Sequence, residues 1–399
     1  MKRPDLRPMR ALPVLEARRD ALEKCVFCPK LCRSACPVSN AEPRETVTPW
    51  GKMSMAYFAA HGDVPLDASH AAPAWACTGC YACRESCDHK NEVAPTLFEA
   101  RAALAAEGLA PEGAKRVIAQ FAAHQESTRQ AVRELLAHPS VRSDSRDALL
   151  IGCTYVRGAM PEARHAIDAA SALVRGPVAL VEVCCGLPLL LAGAGRGFVR
   201  QAEQFAKETR RAESILVADA GCAMTLRTRY PAAGVRLDAK IELVIERAAA
   251  SLFDLSLVES AAMHEPVRYH DPCQLGRGLG IYDAPRAILT RALGRAPDEF
   301  AQNRERGACS GAGGLLPTTM PETARAIADE RLAEHDREGG GRIVTACASS
   351  LLAMRRRAGA RAAAAGARGP GDARAGAPAT VVEDILTLIA RAARPYRAV

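Results

Sequence analysis

Cys25-Val-Phe-Cys28-Pro-Lys-Leu-Cys32-Arg-Ser-Ala-Cys36-Pro37 is answered further along the chain by Cys77-Thr-Gly-Cys80-Tyr-Ala-Cys83-Arg-Glu-Ser-Cys87. Each stretch holds three closely spaced thiols and a fourth one turn later. That is the donor pattern of a cubane iron–sulfur cluster, whose short loop wraps three corners while a remote cysteine supplies the last. Where two such loops occur together, the fourth cysteine of one ligates the cluster of the other. On that rule Cys25, Cys28, Cys32 and Cys87 form one set, and Cys77, Cys80, Cys83 and Cys36 form the second. Zinc ribbons are the competing reading. They use two Cys-x-x-Cys pairs per ion and call neither for the third thiol in each loop nor for Pro37 directly after Cys36. Two departures concern the first loop's geometry: three residues separate Cys28 from Cys32, and Asp88 stands where a second proline is expected.

The rest of the composition narrows the class. The 399 residues are 49% hydrophobic with 15 cysteines, enough for two or three cored domains. Residues 1–20 lack the apolar stretch of a secretory signal, and the longest apolar run, Val178 to Ala194, is interrupted by Glu182 and falls short of a membrane span. A cytoplasmic setting is expected, compatible with peripheral attachment to the inner face of the membrane. Disulfides are not expected there, so the thiols read as ligands, catalytic groups or buried packing. The net charge of +8 is concentrated between Arg355 and Arg374, where six arginines face one aspartate in an Ala/Gly/Pro-rich stretch. No aromatics interleave with them, so nucleic-acid stacking is not supported. The segment 355–379 reads as a solvated low-complexity insert.

Beyond the first 105 residues the text from Glu99 to about His138 has helical periodicity. From Ala148 short apolar runs alternate with helices: 148–152, 178–181 and 215–218, then 267–270 and 342–345. These predict buried parallel strands of a small α/β arrangement. A repeat underlies them. The first copy holds Cys153, Cys184-Cys185-Gly186 and Cys222; the second holds Cys273, Cys309-Ser310-Gly311 and Cys347. In both copies 35 residues separate the glycine from the last cysteine, 187–221 and 312–346. Each cysteine is expected at or just past the C-terminal end of a strand, where open parallel sheets bind ligands.

A lone strand-end cysteine is ordinarily core. The vicinal Cys184-Cys185 followed by glycine favours metal ligation in the first copy by Cys153, Cys184, Cys185 and Cys222, since a disulfide between neighbours is strained. The second copy, with Cys273, Cys309 and Cys347, is the weaker candidate. His270-Asp271-Pro272-Cys273 reads as a structural histidine rather than a catalytic pair. Gly311-Ala-Gly-Gly314 lacks the spacing of a phosphate loop and instead allows close backbone approach to a cluster.

On the paired cysteine loops, Cys184-Cys185-Gly186, His270-Asp-Pro-Cys273 and Cys309-Ser-Gly-Ala-Gly-Gly314, the chain resembles the iron–sulfur subunit of glycolate oxidase and its relatives. These include the C subunit of anaerobic glycerol-3-phosphate dehydrogenase and fused heterodisulfide reductase C and B subunits. The resemblance runs from Cys25 to the closing helix near 382–393. It implies an α-helical two-cluster ferredoxin-like domain (1–105), connecting helices (106–145) and a duplicated α/β, Rossmann-like, cysteine-rich CCG domain pair (146–260 and 261–399). It also implies two [4Fe-4S] clusters, with a further cluster in the first CCG domain as a candidate. The implied function is that of an electron-transfer subunit, taking electrons from a flavoprotein dehydrogenase toward a quinone or another acceptor. The alternative is a catalytic heterodisulfide or thiol reductase subunit. Catalytic reductases complete both cysteine pairs and end each repeat in Cys-x-x-Cys, whereas here Thr225, Ser310 and Ser350 stand at those places.

Overall fold

The computed structural model describes residues 8–29, 32–258, 265–366 and 380–395. The chain forms two compact units that are not consecutive stretches. The first comprises Met1–Phe121 together with Pro188–Phe198 and Gly311–Ile327; the second comprises Ala122–Leu187, Val199–Ser310 and Ala328–Val399.

The first unit is helical. Its centre is the helix Pro49–His61, started by Thr48, whose hydroxyl accepts from the Gly51 amide at 3.0 Å, and stopped by Gly62 at φ 79°. Proline at the first position and a left-handed glycine just past the end are the expected punctuation. Against it pack the helices Arg19–Val26 and Val93–Ala106. The helical periodicity beyond Glu99 corresponds to Val93–Ala106, Glu112–Ala119 and Phe121–Arg133.

The second unit carries two parallel sheets. Strands β1 (Asp147–Leu150), β2 (Ala179–Leu180), β3 (Ser214–Val217) and β4 (Lys240–Leu243) lie in the order β2-β1-β3-β4. Strands β5 (Val267–His270), β6 (Arg342–Thr345) and β7 (Val381–Asp384) lie in the order β5-β6-β7. The central strand β3 is buried throughout, as expected for a parallel strand covered on both faces. Its register sets Ile215 beside Ala148 and Ile241.

Three features differ from the sequence expectation. Strands β4 and β7 are additional, because Lys240, Glu242, Glu383 and Asp384 break the apolar run by which central strands are recognised. Cys309 does not follow a strand; the edge position of the second sheet is reduced to one parallel bridge between Arg268 and Asp298. The arginine-rich insert begins as ordered helix, since Ala348–Gly366 runs through Arg355, Arg357 and Arg361. Alanine and arginine are strong helix formers, and each of these arginines has an acidic partner: Glu162 at 2.7 Å, Asp329 at 2.8 Å and Asp336 at 2.5 Å. The remainder of that insert, 367–379, lies outside the described residues.

The two repeats are cross-braced within this unit. Asp219, after β3, caps the following helix by accepting from the Gly221 and Cys222 amides, and its other oxygen accepts from the Ala348 amide of the second repeat at 3.2 Å. Asp384, the last residue of β7, caps the helix that follows and accepts from the Tyr155 hydroxyl of the first repeat at 2.7 Å. Burial pushes the two carboxyls up, to about 6 and about 7 respectively.

Candidate metal centres

Loop residues with left-handed backbone wrap the second cysteine stretch: Gly79 at φ 67° and Tyr81 at φ 61°. A Cβ at Gly79 would meet Phe98 Cζ at 2.9 Å, so glycine fits there for space as well as for φ. Cys77, Cys80 and Cys83 line one cavity, and Cys36 from the first stretch lines it with them. The Gly79 amide donates to Cys77 Sγ at 3.4 Å and the Lys52 ammonium donates to Cys36 Sγ at 3.3 Å. Burial raises the Cys77 and Cys83 thiols above their ordinary range.

The other set stands at the end of the helix Arg19–Val26. Asn91 Nδ2 donates to Cys25 Sγ at 3.0 Å and to the Ala21 carbonyl at 2.8 Å, tying the 87–91 segment to that helix. Burial pushes the Cys25 thiol up to about 12, and burial with the nearby Cys87 and Cys28 sulfurs pushes Cys32 up to about 11. Cys87 thus bears on the first loop and Cys36 on the second. Thiols raised in this way stay protonated at neutral pH unless a metal takes the proton's place.

The donor spacing discriminates between metals. A tetrahedral zinc site draws its thiolates to about 2.3 Å from a single point. None of these eight cysteines belongs to a three-donor group with all ligand atoms within 4.8 Å among the described residues. Thiols distributed round a cavity fit a cluster, which offers several irons at its corners. None of the fifteen cysteines forms a disulfide.

Arg101 buttresses the second loop from within the first unit. Fully buried, it donates to four carbonyls: Ala74 at 2.9 Å, Cys77 at 2.8 Å, and Leu191 and Gly314 each at 3.0 Å. The last two belong to the segments that follow Cys184-Cys185-Gly186 and Cys309-Ser310-Gly311. A Cβ at Gly314 (φ 64°) would sit 2.0 Å from the Cys77 carbonyl oxygen, and one at Gly313 2.4 Å from that of Thr78. The glycine run therefore lets backbone pass against the loop that carries Cys77 and Cys80.

In the second unit Cys153, Cys184, Cys185 and Cys222 form a row, with Sγ separations of 3.9 Å for Cys184–Cys153 and 3.4 Å for Cys185–Cys222. The backbone of the pair is clamped. Gln125 accepts from the Cys184 amide at 3.0 Å, Gln201 donates to the Cys184 carbonyl at 2.8 Å, and the Tyr230 hydroxyl donates to that of Cys185 at 3.0 Å. Cys184 donates to Cys153 and lowers that thiol to about 5, with help from His124; hydrogen bonding with Cys184 and Cys222 lowers Cys185 as well.

His124 is the residue that sequence reading missed. Its ring nitrogen lies within 4.8 Å of the Cys153 and Cys184 sulfurs. It comes from the helix Phe121–Arg133, outside any cysteine motif, and a single histidine in helical text carries no signal of this.

The second repeat differs. The Ser310 and Ser350 hydroxyls hydrogen-bond each other at 2.8 Å, and burial raises the Cys347 thiol. Cys273 and Cys309 form no three-donor group with all ligand atoms within 4.8 Å among the described residues. His270 is buried and accepts from Arg331 Nε at 3.2 Å, and burial lowers its pKa well below the usual range. It is a neutral, packed histidine.

Comparison with known proteins agrees with this layout. The 4Fe-4S dicluster domain matches residues 21–91, and the cysteine-rich domain matches 148–227 and again 267–355. One of the subunits of the fumarate reductase (CoM/CoB) from Methanothermobacter marburgensis is 28% identical over 346 residues, 82% of this chain and 66% of that protein. One of the subunits of the dihydromethanophenazine:CoB–CoM heterodisulfide reductase from Methanosarcina barkeri is 24% identical over 290 residues, 68% of this chain and 69% of that one. The same subunit from Methanosarcina mazei is 30% identical over 158 residues, 38% of each chain. The chain thus spans at most about two thirds of these relatives' lengths. With one dicluster domain and two cysteine-rich domains in this order, the chain belongs to the CCG family of iron–sulfur proteins.

Proposed function

We propose that the chain is the electron-conducting subunit of an oxidoreductase complex, receiving electrons from a reduced flavoprotein and delivering them toward a quinone. The observation that carries this reading is the grouping of Cys36 with Cys77, Cys80 and Cys83 round one cavity, with Cys25, Cys28, Cys32 and Cys87 as the companion set. Bound at each set, a [4Fe-4S] cluster supplies one-electron capacity. The protein's part is to exclude water, hold the thiolates and adjust the affinity for the electron through hydrogen bonds at the sulfurs. The first cysteine-rich domain, with Cys153, Cys184, Cys185, Cys222 and the His124 nitrogen, is the further metal site. No helix among the described residues is long and apolar enough to cross a membrane, so contact with a membrane quinone would be peripheral or through a partner subunit.

A second reading, reductive cleavage of a disulfide at the first cysteine-rich domain, is favoured by the clamped row of four sulfurs. The Ser310–Ser350 pair and Thr225 weigh against it, because they remove thiols that a catalytic repeat supplies.

The two readings separate in one experiment. Anaerobic protein is reduced with photoreduced FMN, then mixed with menadione or with a small alkyl disulfide. Bleaching of the visible absorption followed by its return with menadione, and no thiol from the disulfide, is the expected result. Stoichiometric thiol release with no response to menadione would replace the first reading by the second.

A further inference from the structure

Lys52 is a buried cation beside the second cysteine set. It lies in the helix Pro49–His61, is 2% exposed, and points its ammonium at Cys36 Sγ from 3.3 Å. Burying an ammonium is strongly unfavourable unless an opposite charge accompanies it. The groups that bear on Lys52 are the sulfurs of Cys36, Cys77 and Cys83. Thiolates holding a cluster would supply that opposite charge. A second buried cation, Arg101, is held at the same loop by the Cys77 carbonyl at 2.8 Å.

The companion set is treated differently. Its sulfur at Cys25 receives a neutral amide hydrogen from Asn91. A reduced centre carries one more negative charge than an oxidised one. A fixed positive charge in a water-poor site therefore favours reduction more than a neutral hydrogen bond does.

We propose that Lys52 makes the centre at Cys36, Cys77, Cys80 and Cys83 the stronger electron acceptor, so that an electron received at the Cys25, Cys28, Cys32 and Cys87 centre passes on to it. The inference rests on the reading that each set holds a cluster. The step balances by itself: one centre loses one electron as the other gains it. No bond forms or breaks.

The test is a redox titration followed by electron paramagnetic resonance on the full chain, with iron and sulfide counted first. The wild-type protein is expected to show two signals with separate midpoints. In Lys52→Met the higher midpoint falls, its reduction equilibrium constant dropping at least tenfold, which is about 59 mV for one electron; the lower midpoint stays in place. Lys52→Gln, which keeps a donor but not the charge, is expected to fall similarly and covers the case in which the methionine variant loses iron. Full iron with both midpoints unmoved, or movement of the lower midpoint instead, overturns the proposal. Two wild-type signals that titrate together overturn it without any variant. Absence of iron from the wild-type chain refutes the cluster reading itself, and so is distinct from a failure of Lys52's role.

Discussion

Cys80→Ser is expected to remove one of two clusters, lowering the iron content by about four atoms per chain, and to reduce flavin-to-quinone transfer to background. Cys80 is 5% exposed and lines the cavity with Cys36, Cys77 and Cys83. A serine hydroxyl offers a harder, more basic ligand that iron at neutral pH holds poorly in place of thiolate. The loss should be confined to that centre, because the companion set draws its ligands from Cys25, Cys28, Cys32 and Cys87. The second unit has its own sheets and core, so its far-ultraviolet dichroism and unfolding should be unaltered. Iron analysis and electron paramagnetic resonance of the reduced variant check this directly. Full iron with both signals intact would remove Cys80 from the ligand set.

Arg101→Met should weaken the first unit by at least about 3 kcal/mol, since it leaves four buried carbonyls unpaired at about 1–3 kcal/mol each. Methionine fills similar volume without donating, so the effect isolates hydrogen bonding from packing. The segments 188–198 and 311–327, which Arg101 joins to the Cys77 loop through Leu191 and Gly314, should become the first sites of limited proteolysis. Arg101→Lys keeps a charge but has no planar fork to reach four acceptors and should fall between wild type and methionine. A shift of the first urea transition by less than about 1 kcal/mol, with an unchanged cleavage pattern, would contradict the role given to Arg101.

What the sequence disclosed and what it withheld follow from the range of the forces involved. The cysteine loops are legible because ligand spacing is a local property: Cys77, Cys80 and Cys83 lie within seven residues of chain. Strands β1, β3 and β6 are legible because a central parallel strand must be apolar on both faces. The edge strands β4 and β7 tolerate charge, so Lys240 and Asp384 hid them. The bridge at Asp298 is one residue pair, too short for any periodicity. Lys52, Arg101 and His124 act on cysteines from other elements; Arg101 reaches Gly314 across 213 residues. Such partners become visible only when the chain is folded. The arginine run misled because composition registers charge density, whereas Glu162, Asp329 and Asp336, which pair with it, come from elsewhere in the chain.

The eight N-terminal cysteines are expected to hold two iron–sulfur clusters. Anaerobic purification followed by iron, acid-labile sulfide and zinc counts per chain, with the visible spectrum, tests it most directly. At least about eight irons and eight sulfides are expected, with any excess iron assigned to the first cysteine-rich domain. Zinc without sulfide, in a colourless protein, would contradict it.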